Sequence, residues 1–193
     1  MALHTDPITA RRAPAELWMC LFVLADLVMF ASFFHALMQV RLADPALYAA
    51  ASSGLNQLAG TLNTCVLLTS SLLMALGAKA LLEGRVAQGR RLLLGTTALG
   101  WLFVLVKLGE YASKYHNGID PLSDDFHFYY FVLTGIHLAH VMLGLGLLGL
   151  LRGMALRPDF PRHAWLAVSA IGLFWHLVDL LWIFLFTFFY LLT

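Results

Sequence analysis

The chain has 193 residues, of which 61% are hydrophobic and only 12% charged, with a mean hydropathy of +0.80 and a net charge of +1. A soluble domain is about half apolar and about a quarter charged, so this composition excludes one and makes lipid the main solvent. The near-neutral balance leaves no basic surplus for nucleic acid, and no nucleic-acid partner is expected.

In chain order, residues 1–16 form a short polar segment. The first apolar run, Leu17–Val40, is too long for a signal-peptide core and lacks a clear cleavage site, so it reads as a retained span. Four more runs follow at Thr61–Leu82, Leu92–Ala112, Phe126–Leu151 and Ala164–Leu192. Each has about 20 residues or more, enough to cross about 30 Å of hydrocarbon as a helix. Backbone groups in lipid must bond within their own segment, so open strands are excluded. The expected fold is all-α, a polytopic membrane bundle of five transmembrane helices forming one domain over 17–193. The breaks, Arg41–Gly60, Glu83–Arg91, Ser113–Asp125 and Arg152–His163, are polar or contain Pro and Gly.

Basic residues gather on one side of this topology. Arg11 and Arg12 precede the first span, Lys79, Arg85, Arg90 and Arg91 flank the second break, and Arg152, Arg157 and Arg162 flank the fourth. The other side carries Arg41 and Lys114 among four aspartates. The positive-inside rule then puts the N-terminus in the cytoplasm and the C-terminus outside. Trp18, Trp101, Trp165 and Tyr190 fall where interfacial anchors occur. Cys20 and Cys65 both sit in apolar runs and read as structural thiols. Gly135, Gly144, Gly146 and Gly149 suggest that the fourth span packs closely at the bundle centre.

The informative residues are ionisable groups at membrane depth, which are costly there and face protein or trapped water. They are Asp26 and His35 in the first span, Lys107 and Glu110 in the third, His137 and His140 in the fourth, and His176 and Asp179 in the fifth. Lys107 and Glu110 are three apart and share a helix face, so an ion pair is expected, either structural or handling protons or ligand. Asp26 lies about 13 Å from the basic side, and His140 and His176 about 18 Å, so these groups could meet inside the bundle. That cluster could lock helix packing or carry protons. Imidazoles on facing helices could also ligate a b-type haem, with His35, His137, His140 and His176 as possible ligands. The nearby Asp26 and Asp179 offer those imidazoles another use.

Several motifs then become familiar. Leu62-Asn63-Thr64-Cys65-Val66-Leu67-Leu68-Thr69-Ser70-Ser71 follows the pattern L-N-T-x-x-L-L-x-S-S. Thr134-Gly135-Ile136-His137-Leu138-Ala139-His140-Val141, with Gly144, follows T-G-x-H-x-x-H-V-x-x-G. Trp175-His176-Leu177-Val178-Asp179 precedes Trp182, and Glu110-Tyr111 ends the third span. In this order they resemble subunit III of the haem–copper oxidases, from about Leu17 to the C-terminus. The resemblance implies an all-helical subunit that binds no cofactor, with haem and copper held by a catalytic haem-containing membrane subunit as its partner. It also implies contact with membrane lipids, a bacterial inner membrane location, and a role in assembly, stability and proton uptake rather than catalysis. Asp26 falls where the family usually carries a carbodiimide-reactive glutamate. Lys107 stands where Gln is often found. Five spans without the family's two extra N-terminal helices, together with Lys107 and the Phe128–His137 stretch, look most like the NorE-type branch associated with nitric oxide reductase. Two other readings stay open: a small bis-histidine membrane cytochrome, and a standalone proton or small-solute conductor using Asp26, His140 and His176.

Overall fold

Lipid offers no partner for a backbone N–H or C=O, so each apolar run must close its own hydrogen bonds. The computed structural model does this with helices throughout. It describes residues 7–157 and 164–192, with side chains from Leu17 onward. Residues 1–6 and the stretch 158–163, which includes Arg162, lie outside the described residues. The elements are α1 (Pro7–Ala43), α2 (Pro45–Ser53), α3 (Gln57–Leu82), α4 (Val86–His116), α5 (Asp125–Ala155) and α6 (Trp165–Phe186), and a π-helical turn (Thr187–Leu191) ends α6.

Five stretches, Leu17–Ala43, Gln57–Leu82, Val86–His116, Asp125–Ala155 and Trp165–Leu191, are long and apolar enough to cross a membrane. The expectation of five spans therefore matches, but the described helices number six. The break expected at Arg41–Gly60 holds α2. Asp44 caps that helix by accepting from the Leu47 N–H at 2.9 Å, and Pro45 takes the first-turn position, where a missing N–H costs nothing.

The breaks after α3 and α4 each open on a left-handed glycine. After α3, Gly84 adopts φ +78°, Arg85 N–H bonds Ala80 O at 2.8 Å, and Gly84 N–H bonds Leu81 O at 3.1 Å. After α4, Gly118 does the same at φ +74°, with Ile119 N–H on Lys114 O. Both are left-handed C-terminal caps that a Cβ would strain. Asp124 caps α5 through the His127 N–H at 2.8 Å and receives the His127 ring at 2.7 Å. Burial alone would raise the Asp124 carboxyl, but the backbone and ring of His127 outweigh it and hold it below the ordinary range.

Helices α3 to α6 form the packed body, and α1 lies against α5 and α6 as the least buried span. Trp175 sits at the centre, with none of its surface exposed. A Cβ on Gly144 would meet its ring at 2.8 Å, and one on Gly100 at 2.9 Å. Its Nε1–H donates to Ser70 Oγ, which donates to the Thr96 carbonyl. Of the four α5 glycines expected to bring helices together, only Gly144 does so. Gly135, Gly146 and Gly149 have nothing within 4 Å of a built Cβ, because they face away from the other helices of this chain.

Each end of the bundle is stapled. At the basic end, Arg90 Nε donates to the Ala155 carbonyl, satisfying one of the orphan acceptors at the end of α5. At the opposite end, Tyr48 donates to the Phe188 carbonyl at 2.5 Å and Gln57 to the Tyr190 carbonyl at 3.1 Å. These bonds hold π-turn carbonyls that have no helical partner among the described residues.

Candidate functional site

The polar groups at membrane depth form three clusters, each spanning more than one helix. The largest surrounds Lys107, which is fully buried on α4. One helical turn on, Glu110 accepts from Lys107 Nζ at 3.1 Å. Nζ also donates to Tyr130 on α5 at 2.8 Å and to Tyr190 of the π-turn at 3.1 Å. Tyr190 donates onward to the second Glu110 oxygen at 2.6 Å. Four rings crowd the ammonium, with centroids at 4.5 Å (Tyr130), 5.3 Å (Tyr111), 5.4 Å (Trp182) and 5.7 Å (Tyr190). A desolvated ammonium over aromatic faces gains about 2 kcal/mol from such contacts. All three N–H donors of Lys107 are thus used, and the charge is neutralised in place. Tyr190 is no interfacial anchor. It is fully buried because the π-turn directs its phenol back to Lys107 and Glu110.

The second cluster joins α1 to α5. Asp26 Oδ1 lies 3.1 Å from His140 Nε2, and His140 Nδ1 lies 2.8 Å from the Ile136 carbonyl. A carbonyl only accepts, so Nδ1 carries a proton. The Nε2–Oδ1 contact then needs one more, held either by an imidazolium facing a carboxylate or by a carboxylic acid facing a neutral ring. Both forms are neutral overall and tie the loosely packed α1 to the bundle. Asp26 Oδ2 is buried with no hydrogen-bond partner among the described residues.

The third cluster lies between α3 and α6. Ser71 Oγ meets His176 Nδ1 at 2.6 Å, and both oxygens of Asp179, one turn along α6, are buried with no hydrogen-bond partner among the described residues. His176 therefore does not join Asp26 and His140, although both lie at a similar count from the basic side. The two are on different faces of the bundle. His137 shares a helix with His140 but points elsewhere. Its ring packs edge-on to Phe103 at 5.6 Å and beside Trp182 at 5.3 Å, and both of its nitrogens are buried without a partner. Thr134, one turn after Tyr130 on α5, donates to the Tyr130 carbonyl and meets the Tyr111 hydroxyl at 2.6 Å.

Among these histidines no two share a site. His35 is exposed beside Gln39 at 3.5 Å, His140 is on Asp26, His176 on Ser71, and His137 between aromatic rings. Among the described residues no three His, Cys, Asp or Glu side chains converge as a metal site would require. Cys20 and Cys65 are exposed and separate. Tyr130, Tyr190, Ser71 and Trp182 complete the clusters; the sequence offered Tyr190 only as an interfacial anchor and Ser71 and Trp182 only as motif positions. For Tyr130 a signal existed: it lies two helical turns before His137 on the same stripe of α5.

Together the fold and these clusters define a polytopic α-helical membrane protein with ionisable side chains buried inside the bundle. Residues 3–193 match the family described as cytochrome c oxidase subunit III, and the chain belongs to that family. It is 33% identical over 175 residues to cytochrome c oxidase subunit 3 of Hippopotamus amphibius, covering 87% of this chain and 66% of that protein. The Synechocystis sp. protein of the same name is 31% identical over 173 residues, covering 89% of this chain and 73% of the relative. That of Papio hamadryas is 31% identical over 189 residues, covering 95% and 70%. The chain thus spans just under two thirds of the length of the hippopotamus relative.

Proposed function

We propose that this chain is a non-catalytic accessory subunit of a respiratory haem–copper oxidase or of the related nitric oxide reductase, in the manner of the NorE-type branch. It docks on a larger haem-bearing membrane subunit and supports that subunit's assembly, stability and proton uptake. Haem and copper belong to the partner, and this chain binds neither. Its N-terminus is cytoplasmic and its C-terminus periplasmic in a bacterial inner membrane.

The observation that carries this reading is the family match along residues 3–193. The site chemistry agrees with it. The intramembrane groups Asp26, Lys107, Glu110, His140 and His176 are engaged with partners inside the bundle, as suits a scaffold. His35, His137, His140 and His176, the imidazoles considered as haem ligands, lie in four separate surroundings. Deletion of the chain tests the proposal. Oxygen or nitric oxide reduction by the membranes is expected to fall or to decay faster during turnover, and identical activity and lifetime in both reactions would refute it.

A further inference from the structure

Opposite the basic end, a cavity of ≈ 260 Å³ opens between the start of α3 and the end of α4. Its polar lining is Asn56, Glu110, Ser113, Lys114 and Asn117, with Gly109 in its wall. It is too large for one or two waters and smaller than an ordinary drug-sized site. Lys114 is its cationic group and is only 7% exposed. Its one hydrogen bond is to the Gly54 carbonyl at 3.2 Å. An ammonium has three donors, so two N–H bonds of a nine-tenths-buried lysine have no partner among the described residues. An unpaired buried charge of this kind is costly unless a counter-charge meets it.

One facing acid is shared between two ammonium groups: Glu110 attracts Lys114 but is hydrogen-bonded to Lys107, so the pocket keeps one positive charge in excess. Glu110 lines the cavity, but its two oxygens take Lys107 and Tyr190. Asp124 acts on Lys114 only at longer range and is committed to His127. Asn56 caps the 26-residue α3, whose positive N-terminal end therefore borders the cavity. Ser113 and Asn117 are exposed at the rim with further donors. Lys114 is two residues from the end of α4 (Val86–His116), at the level where a spanning helix leaves the hydrocarbon.

We propose that this cavity binds a phosphate group, held by Lys114, Ser113 and Asn117 and most readily supplied by a phospholipid headgroup at the membrane surface. The site is independent of which catalytic subunit the chain serves. In the test, the full chain is delipidated in mild detergent and mixed with micelles containing phosphatidylglycerol or the phosphate-free monogalactosyldiacylglycerol, and native mass spectrometry counts the lipid retained. One phosphatidylglycerol per chain and no galactolipid are expected. Gly109→Leu fills the cavity from a position with nothing within 4 Å of its Cβ, and Asn117→Asp places a negative charge at the exposed rim. Each is expected to cut the bound fraction about tenfold, or about 1.4 kcal/mol, without lowering the melting temperature. A second arm titrates inorganic phosphate alone. Phosphate raising the melting temperature of the parent but not of the variants, with no lipid retained, assigns the same site to free phosphate. Equal retention of both lipids, or equal phosphatidylglycerol on parent and variants with no effect of phosphate, overturns the proposal.

Discussion

Replacing Lys107 by Met leaves Glu110 buried with only the Tyr190 hydroxyl for a donor. It removes the 3.1 Å ion pair, the bonds to Tyr130 and Tyr190, and the contacts with four rings. Removing one partner of a buried pair costs about 3–5 kcal/mol, because the remaining charge stays unpaired. Glu110→Leu should cost a similar amount by stranding the ammonium. Replacing both by apolar groups of similar volume removes the stranded charge and is often near neutral. The double variant Lys107→Met/Glu110→Leu should therefore be more stable than either single one, with a coupling energy of about 2–4 kcal/mol. Unfolding titrations in mixed micelles of all four proteins measure this directly. Single-variant costs below about 1 kcal/mol that simply add in the double variant would refute the reasoning that the cage neutralises a desolvated pair.

Three further outcomes follow from the packing and the caps. Gly144→Val should cost about 1–3 kcal/mol, because its Cβ would meet Trp175 at 2.8 Å, whereas Gly146→Ala should be neutral or stabilising; thermal melting of both checks this. Tyr48, outside the spans, has its phenol pushed up to about 12 by burial against the lowering pull of Arg41. Because the unfolded phenol ionises near 10, its contribution is full below pH 10 and is lost between pH 10 and 12, and Tyr48→Phe should flatten alkaline unfolding in that window. Asp124→Ala should cost about 1 kcal/mol through the lost cap of α5. The depressed carboxyl also means that the parent's advantage over this variant is present above the ordinary aspartate range and disappears as pH falls through the lowered value.

The spans were legible because length and hydropathy in lipid leave one solution, the self-satisfied helix. The short α2 was not read, although Asp44-Pro45 is a readable start signal, because nine residues inside a polar break fall below any spanning length. The Lys107–Glu110 pair was legible from its spacing of three. Its partners Tyr130 and Tyr190 come from α5 and the π-turn and are joined only by tertiary packing. Depth along the helices put Asp26, His140 and His176 within reach of one another and left open which imidazole meets Asp26; in the structure it is His140. Depth does not report which face a side chain occupies, and Ser71 on α3 takes His176 instead. The α5 glycines failed for the same reason: spacing marks a small-residue stripe, while only the neighbour's position shows that Gly144 meets Trp175.

The most direct test of the accessory-subunit account is purification of the tagged chain from its own membranes in mild detergent, with an optical spectrum and subunit identification of the product. The account predicts co-purification with a larger membrane subunit carrying haem, and no Soret band once the chain is separated from it. A chain that purifies without any haem-bearing partner, or that keeps a Soret band of its own, would contradict it.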